Sequence, residues 1–182
     1  PSQEGLYQHF KAIAEASPLP VVLYNVPGRT GVNLKADTTV RLANDCENII
    51  AIKEASGSLE QVDEIIKNKP ARFDVLSGDD ALTFSMVASG AAGSISVIGN
   101  ALPKEVSRMI RLEFNGEYEA ARTIHHRFTE LYSLLFIDGN PAGVKALLHE
   151  MGFIENVLRL PLVPTRITTL QKMTEILKTL KI

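Results

Sequence analysis

Four short apolar runs divide the first part of the chain, and turn-forming residues follow each of them. The runs are rich in β-branched side chains and lack polar alternation, which is typical of parallel strands that are buried on both faces. The predicted strands are Val21–Val26, Ile49–Lys53, Phe73–Ser77 and Gly93–Ile98.

Segments with helical periodicity precede and separate these strands. The first ends before Pro18, because proline cannot continue a helix. Ser58 and Gln61 have the spacing of a capping box, and Asp80 is interpreted as the N-cap of the helix that ends before Gly90. The predicted helices are Ser2–Ala16, Leu34–Asn44, Ser58–Lys69 and Asp80–Ser89.

From Pro103 onward the pattern predicts helices only. Alternating helices and strands, each pair about two dozen residues long, are typical of an α/β protein with a parallel sheet. We therefore expect such a sheet with a helical extension behind it. The predicted helices of this second part are Pro103–Asn115, Glu117–Phe136, Pro141–Met151 and Thr165–Leu180.

The composition of the 182 residues, 45% hydrophobic and 22% charged, is that of a globular protein. The net charge of −2, without a block of like charge, argues against nucleic acid as a partner. No apolar run is long enough to predict a membrane span. The single cysteine, Cys46, has no partner for an internal disulfide, so we expect a cytoplasmic location. Because the chain begins with Pro1, we expect a processed protein or a piece of a longer one.

Lys53 closes the second apolar run, where the strand gives way to a polar segment. In parallel α/β folds, reactive side chains gather where the strands end. Removal from water favours the neutral form of an amine, which can attack a carbonyl and form a Schiff base. The alternative is a structural lysine whose charge is paired with Glu54 or another carboxylate.

Tyr24 and Arg29 follow from the same argument at the end of the first predicted strand. The Tyr24 phenol is a candidate proton carrier beside Lys53, although a buried tyrosine is more often a packing residue. Arg29 lies in a loop of glycine and proline that is suited to holding a guanidinium toward a substrate carboxylate. A surface arginine in a turn is the alternative for Arg29.

Other polar residues are weaker candidates. Asp79 and Asp80 are possible metal ligands or general bases, although the N-cap interpretation is preferred for Asp80. His125 and His126 are adjacent on a predicted helix and point about 100° apart, which is unsuitable for holding one ion. Residues 90–93 lack the Gly-Lys-Ser/Thr sequence of a phosphate loop, and Cys46 lacks a base that would activate it. We therefore predict no metal site.

The four strand ends carry distinctive sequences that are best considered together. Residues 24–31 read Tyr-Asn-Val-Pro-Gly-Arg-Thr-Gly and residues 52–57 read Ile-Lys-Glu-Ala-Ser-Gly. Residues 77–80 read Ser-Gly-Asp-Asp and residues 93–97 read Gly-Ser-Ile-Ser-Val. Together these segments resemble the dihydrodipicolinate synthase family. The resemblance continues to Asn140-Pro141 and to Leu158-Arg159-Leu160-Pro161, so it covers essentially the whole chain.

This resemblance implies a (β/α)8 TIM barrel of the class I aldolase type, followed by a C-terminal helical domain. Residues 1–102 would be the second half of the barrel, and residues 103–182 its helical end and the helical domain. The Gly-Thr-Thr-Gly-Glu motif of the family, which supplies a relay threonine, is absent from these residues, as is a second relay tyrosine. We therefore expect a native protein longer by about four βα units, and weak or no activity for this part alone.

The resemblance also implies the role of each site residue. Lys53 would form a Schiff base with pyruvate, with no other cofactor, and Tyr24 would belong to a proton relay. Arg29 would bind the carboxylate of aspartate semialdehyde, and Ile95 would face the bound pyruvate with its backbone. The product would be 4-hydroxy-tetrahydrodipicolinate, on the path to diaminopimelate and lysine, and the family is usually homotetrameric.

Two alternatives remain open at this point. The first keeps the Schiff base but makes the enzyme an N-acetylneuraminate lyase or a 2-keto-3-deoxy acid aldolase. The Arg-Thr-Gly sequence at residues 29–31 argues against the lyase, whose loop usually lacks it. The second is a non-catalytic half-barrel module.

Overall fold

Four parallel strands form one sheet in the computed structural model, which describes residues 1–180. The strands lie side by side in chain order, as βα repeats with regular crossovers require. Their bounds are β1 Val21–Asn25, β2 Ile49–Glu54, β3 Asp74–Ser77 and β4 Gly93–Ser94. The parallel sheet and its helical neighbours confirm the α/β prediction.

The chain divides into two compact units, Pro1–Ile95 and Ser96–Ile182. The first contains the sheet and helices α1 Gln3–Ala16, α2 Pro27–Thr30, α3 Ala36–Asp45, α4 Leu59–Asn68 and α5 Thr83–Ala88. The predicted division at 102/103 concerns the family's barrel and stays a prediction.

The sheet has one covered and one open face among the described residues. Ile52 and Val75, on the face toward the helices, are 0% and 1% exposed. On the opposite face, Val22 and Tyr24 are 44% and 45% exposed. The expectation of strands buried on both faces is therefore wrong for this part of the chain, because no described element covers the second face.

Side-chain caps start two helices where the sequence predicts them. The Ser2 hydroxyl accepts from the Gly5 N–H at 3.1 Å, and the Ser58 hydroxyl accepts from the Gln61 N–H at 3.2 Å. Only half of the predicted capping box forms, since the Gln61 side chain bonds Glu54 and not the Ser58 backbone.

The interpretation of Asp80 as an N-cap is wrong. Helix α5 begins at Thr83, three residues later, and Leu82 occupies its N-cap position without a side-chain bond. A tight turn precedes the helix, because the Asp79 carboxylate accepts from the Ala81 N–H at 3.0 Å. Asp80 is buried in this turn.

The fourth strand is shorter than predicted. Residues Gly93–Ser94 are paired with β3, and the Ile95 N–H still donates to the Ser77 carbonyl at 2.8 Å. Because β3 ends at Ser77, the next residues have no strand on that side to pair with. A 3₁₀ turn, Ile98–Asn100, takes the place of the predicted strand end.

Within the described residues, helices are the regular elements of the rest of the second unit, as predicted, and residues 151–166 between the last two helices are not helical. The helices are α6 Pro103–Phe114, α7 Tyr118–Arg127, α8 Thr129–Ile137, α9 Ala142–Glu150 and α10 Ile167–Leu180. The prediction of one helix over Glu117–Phe136 is wrong, because the backbone leaves helical geometry at Phe128. No helix in residues 1–180 is long and apolar enough to cross a membrane.

Candidate active site

Lys53 and Tyr24 meet at the ends of two neighbouring strands. The register of β1 and β2 pairs these residues, so both side chains leave the sheet on its open face. The Lys53 Nζ lies 4.2 Å from the centroid of the Tyr24 ring, a cation–π contact. Tyr24 is 45% exposed and Lys53 is half-buried, so a ligand can reach the amine from the open face.

Glu54 points away from Lys53, into the opposite face of the sheet. It is 1% exposed and bonds Asn25, Ser56 and Gln61. The alternative of a Lys53–Glu54 ion pair is therefore wrong, because alternation along the strand puts consecutive side chains on opposite faces.

Gly78 lies against the Lys53 side chain just after β3. A Cβ atom added to Gly78 would lie 3.0 Å from the Cγ and Cε atoms of Lys53 and 2.9 Å from the Cβ of Ala55. These distances are shorter than ordinary carbon contacts. The absence of a side chain at residue 78 thus makes room for the path of the lysine.

Ile95 lies on the same open face, one step past β4. Its side chain is 45% exposed. Leu76 pairs with Lys53 on one side and with Gly93 on the other, and Ile95 follows Gly93 by two residues. The sheet thus brings Tyr24, Lys53 and Ile95 to one edge of one face.

Arg29 extends from the single turn of α2 that directly follows β1. Gly31 ends this turn with φ of 71°, a conformation that favours glycine. The Arg29 side chain is exposed and makes no hydrogen bond or ion pair with residues 1–180. Its guanidinium is thus available to bind an anion, and no described residue is bonded to it.

The other polar candidates lie elsewhere or are inert. Burial raises the pKa of the Cys46 thiol, which disfavours the reactive thiolate. Burial also lowers the pKa of His125, whose ring centroid lies 5.4 Å from that of Tyr132. No group of His, Cys, Asp and Glu suited to holding a metal ion occurs within residues 1–180.

A buried ring of side chains behind the site was not predicted from the sequence. Glu54, Asn25, Asn33 and Gln61 bond one another on the covered side of the sheet. The strand register holds one available signal, because Asn25 and Glu54 each follow a site residue and pair with each other. Gly78 was also missed, because its role depends on contacts in three dimensions.

Comparisons with known proteins agree along the whole chain. The family model described as "Dihydrodipicolinate synthetase family" matches residues 1–180. The chain is 71% identical over 182 residues to 4-hydroxy-tetrahydrodipicolinate synthase of Phocaeicola vulgatus, covering 100% of this chain and 61% of that protein. A second such synthase, from Parabacteroides distasonis, is 66% identical over 182 residues with the same coverage of 100% and 61%. The chain therefore spans about three fifths of the length of these relatives.

Solved structures give the same result for the fold. The crystal structure of dihydrodipicolinate synthase from Thermotoga maritima matches with a TM-score of 0.96 and 43% identity, over 98% of this chain and 62% of that one. The prediction of part of a (β/α)8 barrel followed by C-terminal helices is confirmed.

Proposed function

This chain belongs to the dihydrodipicolinate synthetase family, and we propose that the protein containing it is a 4-hydroxy-tetrahydrodipicolinate synthase. It condenses pyruvate with L-aspartate 4-semialdehyde on the path to diaminopimelate and lysine. The observation that carries the proposal is the Lys53 amine, which lies at a strand end on the open face, in contact with Tyr24 and without a carboxylate partner in residues 1–180.

The Lys53 amine attacks the ketone carbon of pyruvate, and water leaves to give an iminium. Loss of a proton from the methyl carbon gives an enamine, whose carbon attacks the aldehyde carbon of the semialdehyde. The substrate's own amine then attacks the iminium carbon and displaces Lys53, which closes the ring. The enamine holds the electron pair that the C–H bond leaves behind and uses it to form the new C–C bond. The reaction therefore needs no other cofactor.

The neighbouring residues have distinct roles in this scheme. Tyr24 carries protons during imine formation, because its ring lies against the amine that gains and loses them. Arg29 binds the carboxylate of the semialdehyde, since its exposed guanidinium lies just beyond the end of β1. Ile95 faces pyruvate through its carbonyl, because its N–H already donates to Ser77.

Borohydride reduction in the presence of pyruvate tests the Schiff base. We expect a reduced pyruvyl adduct on Lys53, located by peptide mass spectrometry, in the protein that contains this chain. Lys53→Arg keeps the charge but should give no adduct, because a guanidinium is not a nucleophile at neutral pH. We expect weak or no labelling of the 182 residues alone. An unlabelled Lys53 in the longer protein would contradict the proposal.

Arg29→Ala separates the synthase from other Schiff-base aldolases. We expect the KM for aspartate semialdehyde to rise about 10- to 100-fold, the cost of losing a hydrogen bond to a charged group. Pyruvate trapping should stay at the level of the unsubstituted protein, because pyruvate does not contact Arg29 in this scheme. Cleavage of N-acetylneuraminate or of 2-keto-3-deoxy acids by the unsubstituted protein would instead favour the other aldolases.

The location and assembly belong to the same proposal. The protein acts in the cytoplasm, where the buried Cys46 stays reduced. It forms a homotetramer, as synthases of this family usually do, although one similar structure is that of a monomeric synthase variant, with a TM-score of 0.96. Light scattering of the protein that contains this chain gives the number of subunits directly.

A further inference from the structure

Glu54 is held in the first unit by a closed ring of hydrogen bonds that no step of the proposed reaction uses. Its Oε2 accepts from Asn25 Nδ2 at 2.9 Å and from Gln61 Nε2 at 3.1 Å, and its Oε1 accepts from the Ser56 N–H at 2.6 Å. Asn33 closes the ring, since it accepts from Asn25 at 2.8 Å and donates to Gln61 at 2.9 Å.

Burial makes this arrangement specific for a carboxylate. Glu54 is 1% exposed and Asn25 is 2% exposed, so water cannot replace a lost bond at either residue. Asn25 uses both of its amide hydrogens, toward Glu54 and Asn33, and its carbonyl accepts from the Leu34 N–H at 2.9 Å. It therefore cannot turn over to accept a bond without breaking others.

The ring joins the two segments that carry the proposed substrate contacts. Glu54 directly follows Lys53, and the Gly78 N–H donates to the Glu54 carbonyl at 2.8 Å. Asn25 and Asn33 lie at the two ends of the loop that contains Arg29. A change at Glu54 therefore reaches the amine through β2, whereas a change at Asn33 reaches the guanidinium through the loop.

We propose that Glu54 is a positioning residue that couples Lys53 to the loop of residues 26–34. The carboxylate sets the end of β2, and through Asn25 and Asn33 it sets the path of the loop that presents Arg29. It contacts neither substrate. This inference rests on the proposed function for its kinetic consequences, whereas its effect on the loop is independent of any substrate.

Glu54→Gln is the direct test, because glutamine has the same shape and its amide places a donor where Asn25, Gln61 or Ser56 already donates. We expect the rate of pyruvate trapping at Lys53 to fall about 10- to 100-fold, the range for a displaced reacting group. The KM for aspartate semialdehyde should rise in the same variant. Amide hydrogen exchange in residues 26–34 should also become faster, because the loop loses its anchor.

Asp138→Asn is the matched control. This carboxylate in the second unit also accepts three hydrogen bonds, two from Arg166 and one from Thr169, and its side chain is 12% exposed. A general loss of stability would lower the unfolding temperature of both variants. Only Glu54→Gln should change trapping, KM and exchange in residues 26–34.

Asn33→Ala provides a second variant in which Glu54 keeps its three donors. We expect faster exchange in residues 26–34 and a higher KM for the semialdehyde, with trapping at Lys53 nearly unchanged. Normal trapping, KM and exchange in Glu54→Gln would overturn the inference. An unlabelled Lys53 in the unsubstituted protein would instead contradict the proposed function. The hydrogen-exchange experiment would still decide whether Glu54 holds the loop of residues 26–34.

Discussion

Gly78 is the residue whose lack of a side chain matters most to the candidate site. Lys53 passes so close that a methyl group at residue 78 would lie 3.0 Å from two of its carbon atoms. The lysine chain is flexible, but the shortest contact, 2.9 Å, is to the Cβ of Ala55, which cannot rotate away. A side chain at residue 78 would therefore strain both the position of the amine and the local fold. Nothing about Gly78 in the sequence indicates this contact, since glycine also follows strands where a turn is needed.

Gly78→Ala should therefore impair both the chemistry and the stability of the protein. We expect the rate of borohydride trapping of pyruvate at Lys53 to fall roughly tenfold, because the amine is displaced from its reactive position. Gly5→Ala is the control, because a Cβ at residue 5 meets its nearest neighbour at 3.5 Å, an ordinary contact. Equal trapping rates in the two variants would show that a Cβ at residue 78 does not displace the Lys53 amine, and would contradict the prediction.

At the scale of elements, helix α6 buries a carboxyl group without a partner. Glu113 is 3% exposed, and neither of its side-chain oxygens has a hydrogen bond within the described residues. Burial raises the pKa of Glu113 from 4.5 to about 7, because the charged form loses its hydration. The folded state thus favours the protonated form of Glu113, and the charged form destabilises it.

The sign of the pH dependence follows from this raised pKa. Below about pH 4.5 the Glu113 carboxyl is protonated in both states and costs little. Between about pH 4.5 and 7 the unfolded chain releases the proton first, so the free energy of unfolding falls as the pH rises. Glu113→Gln should remove this loss and raise the unfolding temperature at pH 8 by roughly 5 °C.

Thermal unfolding at pH 4 and pH 8 measures this effect. Glu113→Gln should match the unsubstituted protein at the lower pH and exceed it at the higher one. Glu119→Gln on α7 is the control, because that side chain is 94% exposed and should change the unfolding temperature little at either pH. A Glu113→Gln variant that is less stable at pH 8 would show that the charged carboxylate has a stabilising partner.

The break between α7 and α8 shows where periodicity fails at this scale. Ala121, Ile124, Phe128 and Leu131 are buried at helical spacing, so the apolar pattern runs through the break. The Thr129 hydroxyl lies 3.4 Å from the His125 carbonyl, and the Phe128 N–H bonds the same carbonyl. These local bonds compete with the regular helical bond and interrupt the helix without interrupting its apolar face.

At the scale of the whole molecule, the sheet carries its candidate chemistry on the face that described residues leave open. Helices cover the other face, where Glu54 and its ring lie. The two faces have different functions. Substrate contacts must be accessible to ligands, whereas a positioning network of hydrogen bonds must be shielded from water. Strand alternation produces this division, since Lys53 and Glu54 are neighbours in the chain and lie on opposite faces.

Much of this protein follows from the sequence alone. The βα alternation, the cap at Ser58, and the family resemblance depend on residues close together in the chain or on motifs as such. The positions of Lys53 and Tyr24 at strand ends follow in the same way, while their roles stay predictions.

The tertiary structure alone decided the rest. It ended β4 at Ser94, gave Glu54 the partners Asn25, Asn33 and Gln61, and brought Gly78 against Lys53. The physical reason is that local bonding and periodicity are properties of neighbouring residues. The length of strand pairing, the partners of buried hydrogen bonds and close contacts between side chains instead depend on which distant segments the packed chain brings together.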